Sequence, residues 1–214
     1  MGARGFLASG SVVPLSGLDV LDFGSGAAVL CLHDAGGSAR ALSPLVQRLG
    51  ERYRVLVPAL PAVAGVEAVA SMIERSLADR QLTHLHAIVG IGAGAYRALH
   101  LVLWRELGVD MLVLLGGALA SPVLAAFGPA PSLRPLASRL CAEVYLRVGE
   151  RGDVAGSEEI AACTGARLDV VRGAGADLFV DDGPATLATI AAALSAFVEE
   201  APIAPRFTTR QPTA

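Results

Sequence analysis

The chain of 214 residues contains no lysine and no asparagine, and all seventeen of its cations are arginine. Without lysine it offers no amine for a Schiff base and none for general-base work. The bias itself fits GC-rich coding and carries no further functional message. Cysteine is scarce: Cys31, Cys141 and Cys163 are widely spaced in apolar surroundings. That pattern points to reduced thiols rather than a disulfide framework or a zinc site, and to a cytoplasmic protein. Charge is also low, with 17% charged residues and a formal net charge of −3. Neither nucleic acid nor an anionic membrane is an expected partner. No uncharged apolar window approaches the roughly 18 residues a spanning helix needs. Residues Met1 to Gly10 carry one arginine, Arg4, and no long apolar run, so no signal peptide is expected.

What is present is a large apolar fraction, 53% of the residues, which excludes general disorder. The length suits one domain over residues 1–200, burying roughly 70% of its unfolded surface. A Pro- and Thr-rich tail at 201–214 is expected to be flexible.

Short apolar runs alternate with segments of helical period. Ser11 to Leu15 and Leu18 to Phe23 read as strands joined by a turn, and Ala28 to His33 as a strand buried on both faces. Ser38 to Leu49 then reads as a helix, with Ser38 as its cap. The alternation continues with strands at Tyr53 to Pro58, Leu85 to Val89, Met111 to Leu115, Val144 to Val148 and Arg167 to Val171. The helices between and after them are Val66 to Leu77, Ala93 to Leu107, Ser157 to Cys163 and Pro184 to Val198. Between Ala120 and Leu140 the pattern blurs around four prolines. The order predicts an α/β fold: a mostly parallel, doubly wound sheet of about eight strands, helices on both faces, and an antiparallel edge. Ligands of such sheets bind beyond the carboxyl ends of the strands. The informative loops are therefore those after His33, Val89, Leu115, Val148 and Val171.

Three stretches carry a family resemblance. Gly17 to Ser38 ends a strand in His33-Asp34-Ala35-Gly36-Gly37-Ser38; Leu45 to Pro61, with Arg52 to Pro58 within it, follows; and Ala166 to Gly175 closes the series. In this order, over roughly Gly17 to Val198, they resemble α/β-hydrolase-fold proteins, with thioesterase-like loops. The resemblance implies an α/β-hydrolase-type sheet, a glycine-rich oxyanion loop at Ala35 and Gly36, and a nucleophile elbow of the form G-x-S-x-G.

The stretch matching that elbow is Gly90-Ile91-Gly92-Ala93-Gly94. Its outer glycines are present, but the nucleophile position holds Gly92, which has nothing to acylate. The histidine position falls on Ala176, and the acid position on Asp153. With serine and histidine both substituted, Asp153 alone cannot run acyl transfer, because in a triad it only orients the base. A dinucleotide fingerprint is the rival reading of the same glycines, but it would need glycine where Ala95 stands. No cofactor and no metal are expected.

Removing the serine side chain would leave backbone N–H groups at Gly92, Ala93 and Gly94, at a helix start, with Ala35 and Gly36 on the facing loop adding more. The expectation is an oxyanion-type pocket without a nucleophile. Proton-handling candidates are His33, Asp34 and Asp153, although the strand-end position of His33 also suits a loop-holding role. His84, His86 and His100 read as structural. Asp181 and Asp182 read as caps of the last helix. A minimal lid is expected around 118–142, with Phe127, Leu133 and Leu136 as a roof.

The sequence thus points first to a non-hydrolytic α/β-hydrolase-fold protein. It would hold a small, partly apolar ligand with a carbonyl or carboxylate end, or promote a cyclisation, elimination or isomerisation, with secondary metabolism as one setting. The alternatives are a hydrolase or thioesterase with an unconventional nucleophile or activated water, and an interaction protein with a vestigial pocket. A homo-oligomer is left open.

Overall fold

The computed structural model describes residues 11–15, 18–34, 37–61, 65–116 and 140–200. The expected lid at 118–142 falls mostly outside them, as do its roof residues, the tail at 201–214, and Ala35 and Gly36.

Eight strands form one sheet: β1 (Ser11–Leu15), β2 (Leu18–Phe23), β3 (Ala28–Leu32), β4 (Arg54–Pro58), β5 (His84–Ile91), β6 (Gly108–Leu115), β7 (Glu143–Gly149) and β8 (Arg167–Val171). Their spatial order is β1-β2-β4-β3-β5-β6-β7-β8. β2 runs antiparallel to both β1 and β4, and every other pairing is parallel. This is the mostly parallel sheet with an antiparallel edge that the alternation predicts.

The helices are α1 (Ser43–Gly50), α2 (Val66–Ala78), α3 (Ala93–Leu103), α4 (Val154–Thr164), α5 (Leu178–Asp181) and α6 (Gly183–Glu200), with a 3-10 turn at Ala39–Leu42 before α1. Alternating strand residues feed two apolar layers. Leu30, Leu32, Leu112 and Leu114 pack with Val69, Leu99 and Ile160 on the side of α2, α3 and α4. Val29, Cys31, Val113 and Leu115 pack with Leu45, Ile190 and Leu194 on the side of α1 and α6. The central strands are buried on both faces, which is why their sequences run apolar without alternation.

Several boundaries differ from expectation. α3 ends at Leu103, not Leu107, because Glu106 takes a left-handed φ of 54° and Gly108 already opens β6. Ser38 makes no side-chain capping bond. α4 starts three residues early, at Val154, because Asp153 caps it. α5, four residues long, is too short for periodicity to reveal. Asp182 directly precedes α6 and its carbonyl accepts the Thr186 N–H at 2.9 Å, while the side chains of Asp181 and Asp182 are engaged elsewhere. Asp181 Oδ2 accepts the Gly175 N–H at 2.5 Å, and Asp182 pairs with the buried Arg147 at 2.6 Å. Arg147 also pairs with Asp169, so one guanidinium ties β7 to β8 and to the entry of α6. Burial works against its charge, but the hydrogen bonds to Asp182 and Tyr145 and the charge of Asp169 outweigh it, leaving its pKa above the ordinary arginine value.

Candidate functional site at the carboxyl ends of the strands

β5 delivers the chain into a sharp bend at Gly92, with φ 54° and ψ −121°, before α3 begins. Only glycine takes a positive φ without cost. The flanking glycines serve a different need, close approach. A side-chain carbon at Gly90 would lie 2.5 Å from the Ala95 Cα, and one at Gly94 would lie 2.1 Å from the Leu32 carbonyl oxygen. The start of α3 can therefore sit directly on β5 and on the end of β3.

β3 delivers His33 and Asp34 beside this bend. His33 is buried, at 3% exposure. Its Nε2 accepts the Leu60 N–H at 3.2 Å, which assigns the ring proton to Nδ1, donated to the Asp34 carbonyl at 2.8 Å. The Gly37 N–H donates to the same carbonyl at 3.1 Å. Both ring nitrogens of His33 are thus spent on backbone, clamping the loop after β3 to the segment after β4.

The carboxylate of Asp34 points at the elbow. Its Oδ1 accepts the Ala93 N–H at 2.7 Å. A side-chain carbon built on Gly92 would lie 2.5 Å from both Cγ and Oδ1 of Asp34. Beneath, on α3, Arg97 is 2% exposed. Burial pushes its pKa below the ordinary arginine value, and the negative charge of Asp34 offsets only part of that.

The loops after β6, β7 and β8 close the far side. A side-chain carbon on Gly116 would lie 2.8 Å from the Ala176 carbonyl oxygen and 3.8 Å from the Gly92 nitrogen. One on Gly152 would lie 3.6 Å from the Ala176 Cα. Gly92, Ala176 and the Asp153 loop are therefore neighbours. Asp153 turns its Oδ1 to the Gly156 N–H at 2.9 Å, capping α4. Asp177, next to Ala176, accepts the N–H groups of Phe179 and Val180 on its Oδ1, at 3.1 and 3.2 Å.

These elements surround a cavity of about 750 Å³, within the range of small-molecule sites. Leu42, Pro44, Ile91, Phe179, Val180 and Leu187 supply apolar walls, and Asp34 and Asp177 are its charged lining. A second cavity, of about 570 Å³, lies at the opposite edge of the sheet, beside His84, Gly108 and Glu143, where strands begin. Open α/β sheets do not usually bind ligands there.

No family model matches the sequence, and no curated protein matches it. Solved structures do match. An esterase from Exiguobacterium antarcticum superposes with a TM-score of 0.73 at 17% identity, over 83% of this chain and 95% of the other. A carboxylesterase of the thaumarchaeon Nitrososphaera gargenis gives 0.75 at 12% identity, over 90% and 100%. A meta-cleavage product hydrolase from Pseudomonas fluorescens IP01 gives 0.69 at 16% identity, over 90% and 98%. The chain has the α/β-hydrolase fold.

In this α/β-hydrolase fold the described candidate residues His33, Asp34, Gly92, Ala93, Asp153 and Ala176 come together at one end of the sheet, with one correction. Two of the backbone donors expected to await a ligand are already engaged: the Gly92 N–H by the Leu115 carbonyl at 2.9 Å, and the Ala93 N–H by Asp34. The protein's own carboxylate fills the anion position. Sequence reasoning missed Asp177 and Arg97. The one arginine on the mostly apolar Ala93–Leu103 helix was the available signal for the latter. His84, His86 and His100 sit elsewhere, at Asp110, against Tyr53 and at Glu67 respectively. Among the described residues no group of three His, Cys, Asp or Glu could hold a metal ion, and no helix is long and apolar enough to cross a membrane.

Proposed function

We propose that this α/β-hydrolase-fold chain does not perform serine-type acyl transfer, and that it uses the cavity at the carboxyl ends of its strands to hold a small, partly apolar ligand. The carrying observation is the Asp34 carboxylate seated over Gly92, in the space a nucleophile's side chain would need. Gly92 stands in the nucleophile position and Ala176 in the base position, so neither an attacking hydroxyl nor an imidazole is supplied there. His33 acts as a loop clamp and Asp153 as a helix cap. The cavity is a binding site, or a mould in which a reactive substrate cyclises, eliminates or isomerises by positioning alone. Melting measurements against a panel of small apolar ligands test this. A ligand that binds the folded chain must raise the melting temperature, while a vestigial pocket leaves it unchanged.

One observation favours a second reading, hydrolysis without serine. Asp34 faces the cavity at the tip of α3, where a carboxylate could act as base toward water or as nucleophile. Activated esters and thioesters distinguish the two readings: turnover that disappears in Asp34→Asn supports the second, and absence of turnover supports the first.

A further inference from the structure

We propose that β8 is a dimerisation edge, along which a second copy of this chain pairs antiparallel and joins two eight-stranded sheets into one. The outer strands of the sheet are β1 and β8. An outer strand presents unpaired backbone groups, which proteins usually blunt with proline, a bulge or charge. β1 contains Pro14, which has no N–H to offer. β8, Arg-Leu-Asp-Val-Val, has no proline, and its register with β7 runs unbroken from Arg167 to Val171. The Val171 carbonyl accepts the Glu150 N–H at 2.9 Å. Backbone groups alternate in direction along a strand, so Arg167, Asp169 and Val171 bond inward to β7, while Leu168 and Val170 present N–H and C=O to the open side. Val170 is also 39% exposed; the other exposed large apolar side chain among the described residues, Val180, belongs to the cavity.

The two charges of β8 decide the occupant. An antiparallel partner must meet Leu168 and Val170 with outward backbone groups of its own. For a second copy, two-fold registers centred on Leu168, Asp169 or Val170 do so. Centring on Asp169 sets two carboxylates face to face, which is destabilising. Centring on Val170 slides Arg167 past the end of the partner strand. Centring on Leu168 sets Arg167 opposite Asp169 twice, once on each side of the axis, and Val170 opposite Ala166. Those charged pairs fall at non-hydrogen-bonded positions, where facing side chains approach most closely. Arg167 is exposed and makes no ion pair among the described residues. Asp169 is partly exposed and meets Arg147 and Tyr145 through Oδ2 alone. The edge is thus complementary to its own reverse, as an isologous interface requires, and an unrelated strand has no reason to match this charge order. A pairing five residues long is small, so the dimer belongs to the weak end of specific association.

Sedimentation velocity on the full chain, from about 1 μM to about 1 mM, tests this across the range from moderate to weak affinity. The expected result is a reversible monomer–dimer equilibrium. Hydrogen exchange should show the Leu168 and Val170 amides gaining protection as concentration rises, and the Asp169 amide, bonded to β7, unchanged. Val170→Pro removes an outward N–H and no bond to β7. It should weaken the dimer about tenfold and leave the melting temperature of the dilute monomer near that of the parent. Arg167→Glu turns two attractive pairs repulsive and should also weaken the dimer about tenfold, with added salt lessening the difference. Should Val170→Pro fail to fold, Arg167→Glu and the exchange pattern still decide. A chain that stays monomeric to about 1 mM overturns the proposal and leaves the edge to an unrelated strand. A dimer indifferent to both variants places the interface elsewhere. Weakening by Val170→Pro alone overturns the register, and weakening by Arg167→Glu alone overturns the strand pairing.

Discussion

The Asp34 carboxylate lies where the first side-chain atom of any residue but glycine at position 92 would have to go, 2.5 Å from that point. The two residues are therefore coupled: Asp34 can cap α3 from the cavity side only because Gly92 has no side chain, and position 92 cannot gain one while Asp34 is there.

That coupling is measurable. Gly92→Ala combines a positive φ with a steric conflict, and should destabilise the fold by about 2–3 kcal/mol. Asp34→Gly removes the capping bond to Ala93 and the negative charge acting on buried Arg97, and should cost about 1–3 kcal/mol. Urea unfolding of the double variant should show less destabilisation than the sum, by about 1 kcal/mol, because the conflict is gone. Strict additivity would mean the two groups do not compete for space.

His33 is expected to matter for folding rather than turnover. His33→Leu leaves the buried Leu60 N–H without an acceptor, a loss of about 1–3 kcal/mol. Hydrogen exchange should show the Leu60 amide losing protection more than amides in β6. Unchanged protection at Leu60 would remove the clamp from the account.

Cys31 gives a pH signature. The thiol is fully buried on β3, and burial alone pushes its pKa from 9.0 up to about 12. The folded state thus disfavours the thiolate relative to the unfolded chain. Its contribution to stability is complete below pH 9.0 and is lost as pH rises from 9.0 towards about 12. Alkaline unfolding should therefore steepen in the parent relative to Cys31→Ala. At pH 8, alkylation should reach the exposed Cys141 first and Cys31 last. Rapid native-state labelling of Cys31 would contradict the burial.

How much of this could be read beforehand divides by range. The sheet was legible because Ala28 to His33 and its fellow runs are apolar on both faces, and because a Gly90-x-Gly92-x-Gly94 spacing marks a tight crossing of helix over strand. The Asp34 contact was not legible. It joins loops 59 residues apart, and no local pattern reveals where a loop carboxylate will point. Asp153 stood one residue before a segment with Gly156 and Ser157, so its capping role was local and available. The resemblance drew attention to its place in a triad instead. Asp177 followed the same logic at α5, a helix too short to show a period.

The same geometry states what it would take to install an ordinary hydrolytic elbow. Gly92→Ser with Ala176→His places a hydroxyl and an imidazole on adjacent loops, since Gly92 and Ala176 both border Gly116. With Asp34 still present, the new Cβ meets a carboxylate and the Ala93 N–H remains occupied. The double variant should therefore stay inactive toward p-nitrophenyl acetate. Adding Asp34→Gly frees both the space and the donor. The triple variant should then release nitrophenolate in a burst approaching one equivalent, followed by slow turnover, because Asp153 is engaged with Gly156 and only weakly available to orient the imidazole. Equal activity in double and triple variants would show that Asp34 does not obstruct the elbow, and the assignment of residue 92 to the nucleophile position would lose its main support.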